Sequence, residues 1–321
     1  MNRYDVMKNS AAFALMKRDA DENRVSHAYL VVSPDEGMSD ALASLFIASV
    51  AFGGTAPAAI ERAENFGADI IRLPEGDKVL AGDIKTLTDS VYFTPTELKK
   101  KFYVIRKCET MNETSQNKLL KILEEPPESV VIILLAAGVG QILPTVLSRV
   151  RRVDAEPMPE AEMLRYLEAN YGSDGTVYLA AALSGGYIGK AEKVMTEKAP
   201  RETFEFVLSV LKGMKNSRLV LPYSVRLGGY KDRLSEFIDV LELVLADCMR
   251  ASAGIRDGLE FKNATREIIE ISSEYDADVV VRLAPAIRRA RMRISLNGNP
   301  QSVADELLFS LLEVKAKCRK S

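Results

Sequence analysis

The chain has 321 residues, 47% hydrophobic and 27% charged, which excludes disorder as its main state and, at the usual ~100–200 residues per domain, favours two or three domains over one. Lys and Arg number 43 against 45 Asp and Glu, a formal charge of -2, so neither a polybasic nucleic-acid coat nor an acidic tail protein fits and any DNA contact is local. No run approaches the ~18 apolar residues of a membrane span, and Met1-Asn2-Arg3-Tyr4-Asp5 opens no signal peptide, which predicts a cytoplasmic protein without a membrane partner.

In chain order, Ala28-Tyr29-Leu30-Val31-Val32 predicts a buried strand, and Leu42, Leu45, Phe46 and Ser49 fall at helical spacing over 40–51. Gly53-Gly54-Thr55 breaks the chain before a short segment Asp69-Ile70-Ile71-Arg72-Leu73 and a polar loop at Pro74-Glu75-Gly76-Asp77. A helix over 83–92 and a strand Phe102-Tyr103-Val104-Ile105 follow. Asn112 or Thr114 then caps a helix bearing Leu119, Leu120 and Leu123, which Pro126-Pro127 stops. Val130-Val131-Ile132-Ile133-Leu134-Leu135, apolar throughout, reads as a central strand of a parallel sheet covered on both faces. The alternation predicts an α/β domain over 1–153.

Helices take over beyond it: 160–170, then 181–195 interrupted by a turn at Ser184-Gly185-Gly186, making a small helical lid over 154–200. Phe204, Val207, Leu211 and Met214 form one apolar stripe, and Leu234, Phe237, Ile238, Leu241, Leu245 and Cys248 a longer one. Ser302 with Asp305 resembles a capping box opening a last helix with Val303, Leu307, Leu311 and Val314. The third domain is thus helical, over 201–321, and the fold class is α/β followed by all-α.

Reactive residues are few. Cys108, Cys248 and Cys318 are too scattered for a disulfide framework or a zinc site, and His27, the single histidine, has no nearby nucleophile or orienting acid and reads as structural. An α/β domain invites a search for the phosphate loop Gly-x-x-x-x-Gly-Lys-[Ser/Thr] after the first strand. There the chain has Ser33-Pro34-Asp35-Glu36-Gly37-Met38-Ser39-Asp40: Ser33 and Met38 take the glycine positions, Ser39 the lysine position and Asp40 the magnesium-binding hydroxyl position. A carboxylate about 4 Å from a phosphate charge is repelled by roughly 4 kcal/mol at an effective dielectric near 20. The third strand runs into Arg106-Lys107, where a phosphate-loop ATPase carries magnesium-binding acids. By itself the pair fits a solvated strand end. Beside the altered loop it reads as a decayed nucleotide site, with no bound cofactor or metal.

Three blocks occur in order: His27-Ala28-Tyr29-Leu30, Gln116-Asn117-Lys118-Leu119-Leu120-Lys121-Ile122-Leu123-Glu124-Glu125-Pro126-Pro127, and Leu143-Pro144-Thr145-Val146-Leu147-Ser148-Arg149-Val150. Together they resemble the clamp-loader subunits of bacterial DNA polymerase III, in the AAA+ class, and among them the delta prime type. The likeness is strong from His27 to Val153. It is weaker over Leu183-Ser184-Gly185-Gly186-Tyr187-Ile188-Gly189-Lys190-Ala191, which resembles a sensor-two turn, and over Ile294-Ser295-Leu296-Asn297-Gly298-Asn299-Pro300, which resembles the start of the family's collar helix.

The resemblance implies an AAA+-like α/β domain, a lid and an oligomerising collar in a ring where gamma or tau subunits hydrolyse ATP and this type is a rigid, non-hydrolysing stator. Ser148-Arg149-Val150 matches the family's Ser-Arg-Cys motif, which implies Arg149 as an arginine finger offered in trans to a neighbour's ATP, with Val150 in place of cysteine affecting packing alone. Such a finger contributes about 10³–10⁵ in kcat. Ala136-Ala137 replaces a polar γ-phosphate sensor, Lys190 stands where active relatives place a sensor arginine, and 48–73 lacks the family's four-cysteine zinc module. The implied partners are gamma/tau-type ATPase subunits, a delta-type subunit, the sliding clamp indirectly, and primer-template DNA within the complex. Lys99-Lys100-Lys101, Arg149-Arg151-Arg152 and the group Arg282, Arg288, Arg289, Arg291 and Arg293 fit solvated or inter-subunit faces better than phosphate contacts. Lys118 and Lys121 stay open as DNA contacts. An active gamma-type ATPase with an unusual pocket and a stand-alone scaffold are the rival readings.

Overall fold

A computed structural model describes residues 1–318 apart from 66, 75, 215, 229 and 230, with Lys231 and Cys318 described in backbone only. The expected loop residue Glu75 and the Cys318 side chain therefore lie outside the described residues. The chain forms two compact units, one of Met1–Asn170 with Gly186–Gly189, the other of Tyr171–Gly185 with the chain from Lys190 onward.

The first unit is built on five parallel strands, β1 (Ala28–Val32), β2 (Ile70–Leu73), β3 (Lys101–Ile105), β4 (Val130–Ala136) and β5 (Arg151–Asp154), in the order β2-β3-β4-β1-β5. Every residue of β3 and β4 is buried, which is why β4, and β3 after Lys101, read as apolar runs. Val32 pairs with both Ala136 and Asp154, and Leu73 with Ile105, so the segments after β1, β3 and β4 emerge along one carboxyl edge, the side on which open α/β sheets bind ligands.

The helix after β1 spans Glu36–Phe52 and starts four residues before the apolar spacing at 40–51 predicts. Asp35 is the reason: it is extended, and its carboxylate accepts from the Met38 N–H, capping a turn whose residues carry no helical stripe. Gly53, at φ 72, ends the helix in the left-handed region that glycine enters freely. Asn112, not Thr114, caps the helix Glu113–Glu124 through the Ser115 N–H. Helices Ala81–Ser90 and Glu113–Glu124 lie where expected, whereas Arg3–Met7, Ala11–Asp21, Pro57–Asn65 and Pro144–Leu147 were not foreseen. Nor was β5, since Arg151-Arg152-Val153-Asp154 has one apolar position, Val153, which is buried on pairing with β1.

The second unit is helical. Its helix Gly175–Ser184 ends at Gly185, at φ 57; Gly186, at φ 85, and the start of the helix Ile188–Thr196 belong to the first unit. Phe204, Val207, Leu211 and Met214 are buried along and just after Ala199–Gly213; Leu234, Phe237, Ile238, Leu241, Leu245 and Cys248 are buried along Lys231–Ser252. Asp247, wholly buried on that helix, accepts backbone N–H bonds from Glu260 and Phe261 and pairs with Arg250 at 2.7 Å. The last helix, Pro300–Cys318, corrects the expected capping box: Asn299 accepts from the Ser302 N–H at 3.0 Å, and Asp305 instead bonds Ser224 and Gln301 of the same unit. Among the described residues no single helix is long and apolar enough to cross a membrane.

Candidate functional site

Of the residues aligned with the phosphate loop, Met38, Ser39 and Asp40 lie inside the helix Glu36–Phe52. Only 33–35 make the connection from β1. Ser33 and Met38 are buried, Ser33 Oγ accepts from the Asp35 N–H at 3.1 Å, and Ser39 Oγ donates to the Glu36 carbonyl at 3.0 Å. The helix N-terminus, with its unpaired N–H groups and partial positive charge, is thus met by the chain's own Asp35 carboxylate.

Asp40 does not confront a phosphate position unopposed, as its sequence position suggests. Arg106 donates through Nε to Asp40 Oδ1 at 2.8 Å, and Arg72 stands 3.6 Å from the same oxygen. Arg72 also donates to Ser44 Oγ and the Ala63 carbonyl; burial pushes its pKa down, and Asp40 counters that. Lys107, in the left-handed region at φ 51, donates to Asp77 at 3.1 Å and reaches Glu36 at 3.3 Å, contacts that raise its pKa. Arg106 and Lys107 are therefore paired cations, neither a metal cradle nor a bare solvated strand end. The cleft between Ser33, Pro34, Asp40, Arg106, Lys107 and Ala137 holds about 50 Å³, room for a few waters.

A second constellation gathers the two longest motifs. Gln116, 2% exposed, donates from Nε2 to the Met111 and Gln141 carbonyls at 3.0 and 2.9 Å and accepts from the Leu143 N–H at 2.8 Å. It thereby fixes the entry to Pro144–Leu147. Ser148 follows that helix and donates to the Thr145 carbonyl at 3.0 Å. Arg149, with its side chain 36% exposed, donates to the Thr145 carbonyl at 2.9 Å, to Ser148 Oγ at 3.2 Å and to Glu124 Oε1 at 2.8 Å. Glu124 ends the helix Glu113–Glu124, so Arg149 is held at the surface by a residue of the other motif. Val150 packs against the sheet core.

Other singled-out residues disperse. Lys101 is buried at the start of β3, donating to the Ser90 carbonyl, which removes it from a solvated lysine face, whereas Lys99 is exposed and Lys100 makes an exposed bond to the Glu128 carbonyl. Arg151 pairs with buried Asp19 at 2.8 Å and Arg152 with Asp154 at 2.7 Å. In the second unit, Arg291 bridges to Asp239 and Glu242, Arg289 and Arg293 to Glu306, and Arg282 to Asp278. Lys190 lines a separate cavity of about 360 Å³ with Lys193, Glu236 and Asp239. Lys118 and Lys121 are exposed. His27 sits at the mouth of β1, its carbonyl accepting from Ile132 N–H. Cys108 and Cys248 are buried, which pushes both thiols up, Cys248 to about 12.

Asp35 is the residue that sequence reasoning passed over. Its signal was available: an Asp directly before an apolar helix is a cap candidate. Its second bond, to the Gly189 N–H at 2.6 Å, spans 154 positions and has no local signal.

The chain is similar to known subunits of DNA polymerase III. A family model described as DNA polymerase III, delta subunit, matches residues 8–159. The chain is 24% identical to the DNA polymerase III subunit delta' of Bacillus subtilis over 93% of this chain and 94% of that one. It is 29% identical to the DNA polymerase III subunit gamma of Buchnera aphidicola, but over 31% of this chain and 28% of that one. A solved gamma subunit-related protein from Thermotoga maritima is 20% identical, with a TM-score of 0.47, covering 95% of this chain and 99% of the other. Residues 8–159, the span that this family model matches, carry both constellations.

Proposed function

We propose that this chain is a non-hydrolysing, delta-prime-type subunit of a DNA polymerase III clamp loader that offers Arg149 in trans to ATP held by a neighbouring gamma/tau-type subunit. It works in the cytoplasm with that ATPase and a delta-type subunit, helping to place a sliding clamp on primer-template DNA. Residues 1–153 serve as the AAA+-like domain, 154–200 as the lid and 201–321 as the collar that joins the ring.

The observation that carries this reading is the contrast between a helix N-terminus closed by Asp35 beside an Asp40–Arg106 ion pair and an Arg149 left at the surface. The first sets the chain's own carboxylate at the helix start where a phosphate would sit and ties Asp40 to a guanidinium, which supports a non-hydrolysing role; the second presents a guanidinium suited to charge building up on a transferred phosphoryl group. Near full-length likeness to a delta' subunit supports the same assignment. The test is DNA- and clamp-stimulated ATPase of the cognate ATPase and delta-type subunits with this chain absent, present, or present as Arg149→Ala. Stimulation by the wild type and not by the variant is expected. Equal rates in all three, with the chain confirmed in the complex, would favour a scaffold.

The partial likeness to gamma subunits keeps one rival in view, an active ATPase. Equilibrium binding of ATP to the purified chain separates the two: saturable, magnesium-dependent binding would sink the non-hydrolysing assignment.

A further inference from the structure

We propose that Asp35 is a built-in anion: its carboxylate bonds the first turns of two helices at once and so keeps the turn Gly186–Gly189 docked on the α/β unit with no ligand bound. Asp35 is 5% exposed. One carboxylate oxygen accepts from the Met38 N–H at 3.0 Å, the other from the Gly189 N–H at 2.6 Å. Met38 is the third residue of Glu36–Phe52 and Gly189 the second of Ile188–Thr196, so each donor is a first-turn N–H that its own helix leaves unpaired.

Each helix start carries roughly half a positive elementary charge, and a shared negative charge offsets both. A bound phosphate does this at many helix N-termini. Here the anion is part of the chain, and its presence does not depend on nucleotide concentration.

The surroundings are shaped for it. A Cβ on Gly189 would lie 3.1 and 3.2 Å from the two Asp35 oxygens, and one on Gly37 would lie 3.2 Å from Oδ1, so both backbones approach the carboxylate as only glycine comfortably allows. A second stitch holds the other end of the turn: the Gly186 carbonyl accepts from the Met158 N–H at 2.8 Å, and a Cβ on Gly186 would meet the Met158 carbonyl at 2.6 Å. Residues 186 and 189 are therefore both tied to the same unit, one by backbone and one by the Asp35 charge.

Hydrogen–deuterium exchange of the full chain, read by mass spectrometry with circular dichroism to confirm folding, tests this. Asp35→Ser keeps a cap for Met38 but is too short to reach Gly189. Its peptide covering 186–191 is expected to exchange about tenfold faster, with 36–42 unchanged. In Asp35→Ala both peptides should exchange faster, and sodium formate, against sodium chloride at equal ionic strength, should restore protection. Wild type should show the same exchange with and without millimolar MgATP. Unchanged exchange at 186–191 in both folded variants overturns the proposal. So does lost protection that formate fails to restore, which would assign the turn to packing, and so does a wild-type turn that responds to MgATP.

Discussion

At the carboxyl edge of β1 and β3 Asp35, Asp40 and Arg106 are paired inside the chain, whereas after β4 Arg149 is kept at the surface. Asp35 is buried against two backbone N–H groups, and Asp40 holds Arg106 and Arg72 together. Arg149, by contrast, rests on a carbonyl, a hydroxyl and a half-exposed Glu124. A surface pair of the last kind contributes ~0–1 kcal/mol, so a stronger anion can draw the guanidinium away cheaply. A buried, multiply bonded carboxylate cannot be withdrawn without leaving its partners unpaired. The comparison separates charges that build the fold from one held at the surface by weak contacts.

The largest expected effect tests the surface charge. Arg149→Ala should cut ATP turnover at the neighbouring site by about 10³-fold, while the chain's own unfolding free energy in urea stays within about 0.5 kcal/mol of wild type. A variant that unfolds early would mean Arg149 belongs with the structural charges after all. Next comes Gln116→Ala, which leaves two carbonyls and the Leu143 N–H without their partner and should cost about 3 kcal/mol in the same measurement. An effect below 1 kcal/mol would show that the segment before Arg149 holds itself.

Asp40→Ala should cost about 2 kcal/mol, because it leaves two guanidinium groups facing each other. Removing Arg106 as well should recover part of that loss, and additive single effects in the double-mutant cycle would refute the pairing.

Asp69 sharpens the contrast from another side, as a buried carboxylate with backbone donors as its main partners. Burial alone would raise its pKa, but N–H bonds from Leu98, Glu97 and Thr96, with Lys101 nearby, hold it below the ordinary 3.8. A depressed folded pKa gives stability that is fully present above the unfolded value and lost as pH falls through the folded one. Asp69→Asn should therefore cost about 1–2 kcal/mol at neutral pH and flatten the acid limb of a stability profile measured from pH ~5 downward. An unaltered limb would refute it. The smallest effect belongs to Glu124→Gln, expected within about 0.5 kcal/mol in stability and about threefold in the neighbour's turnover; a larger loss of turnover would make Glu124 essential to placing the arginine.

Much of this was legible along the chain. Apolar runs at β1, β3 and β4 mark strands because a sheet covered on both faces favours apolar side chains along its strands, and the helical stripes from Phe204 to Cys248 record which face is buried. Altered residues at Ser33, Met38, Ser39, Asp40, Arg106 and Lys107, and the motif around Arg149, could be read without coordinates, since each is a matter of residue type at a known spacing. Pairings could not. β5 is a strand because β1 offers it a ladder, not because Arg151-Arg152-Val153-Asp154 has a β pattern. Asp40 meets Arg106 across 66 positions, Asp35 meets Gly189 across 154, and Glu124 meets Arg149 from a different motif. Local composition sets which charges a chain carries and which helices and strands it favours; only folding brings distant residues within a few ångströms, and at that range alone is it settled whether a charge is neutralised at home or left for a partner.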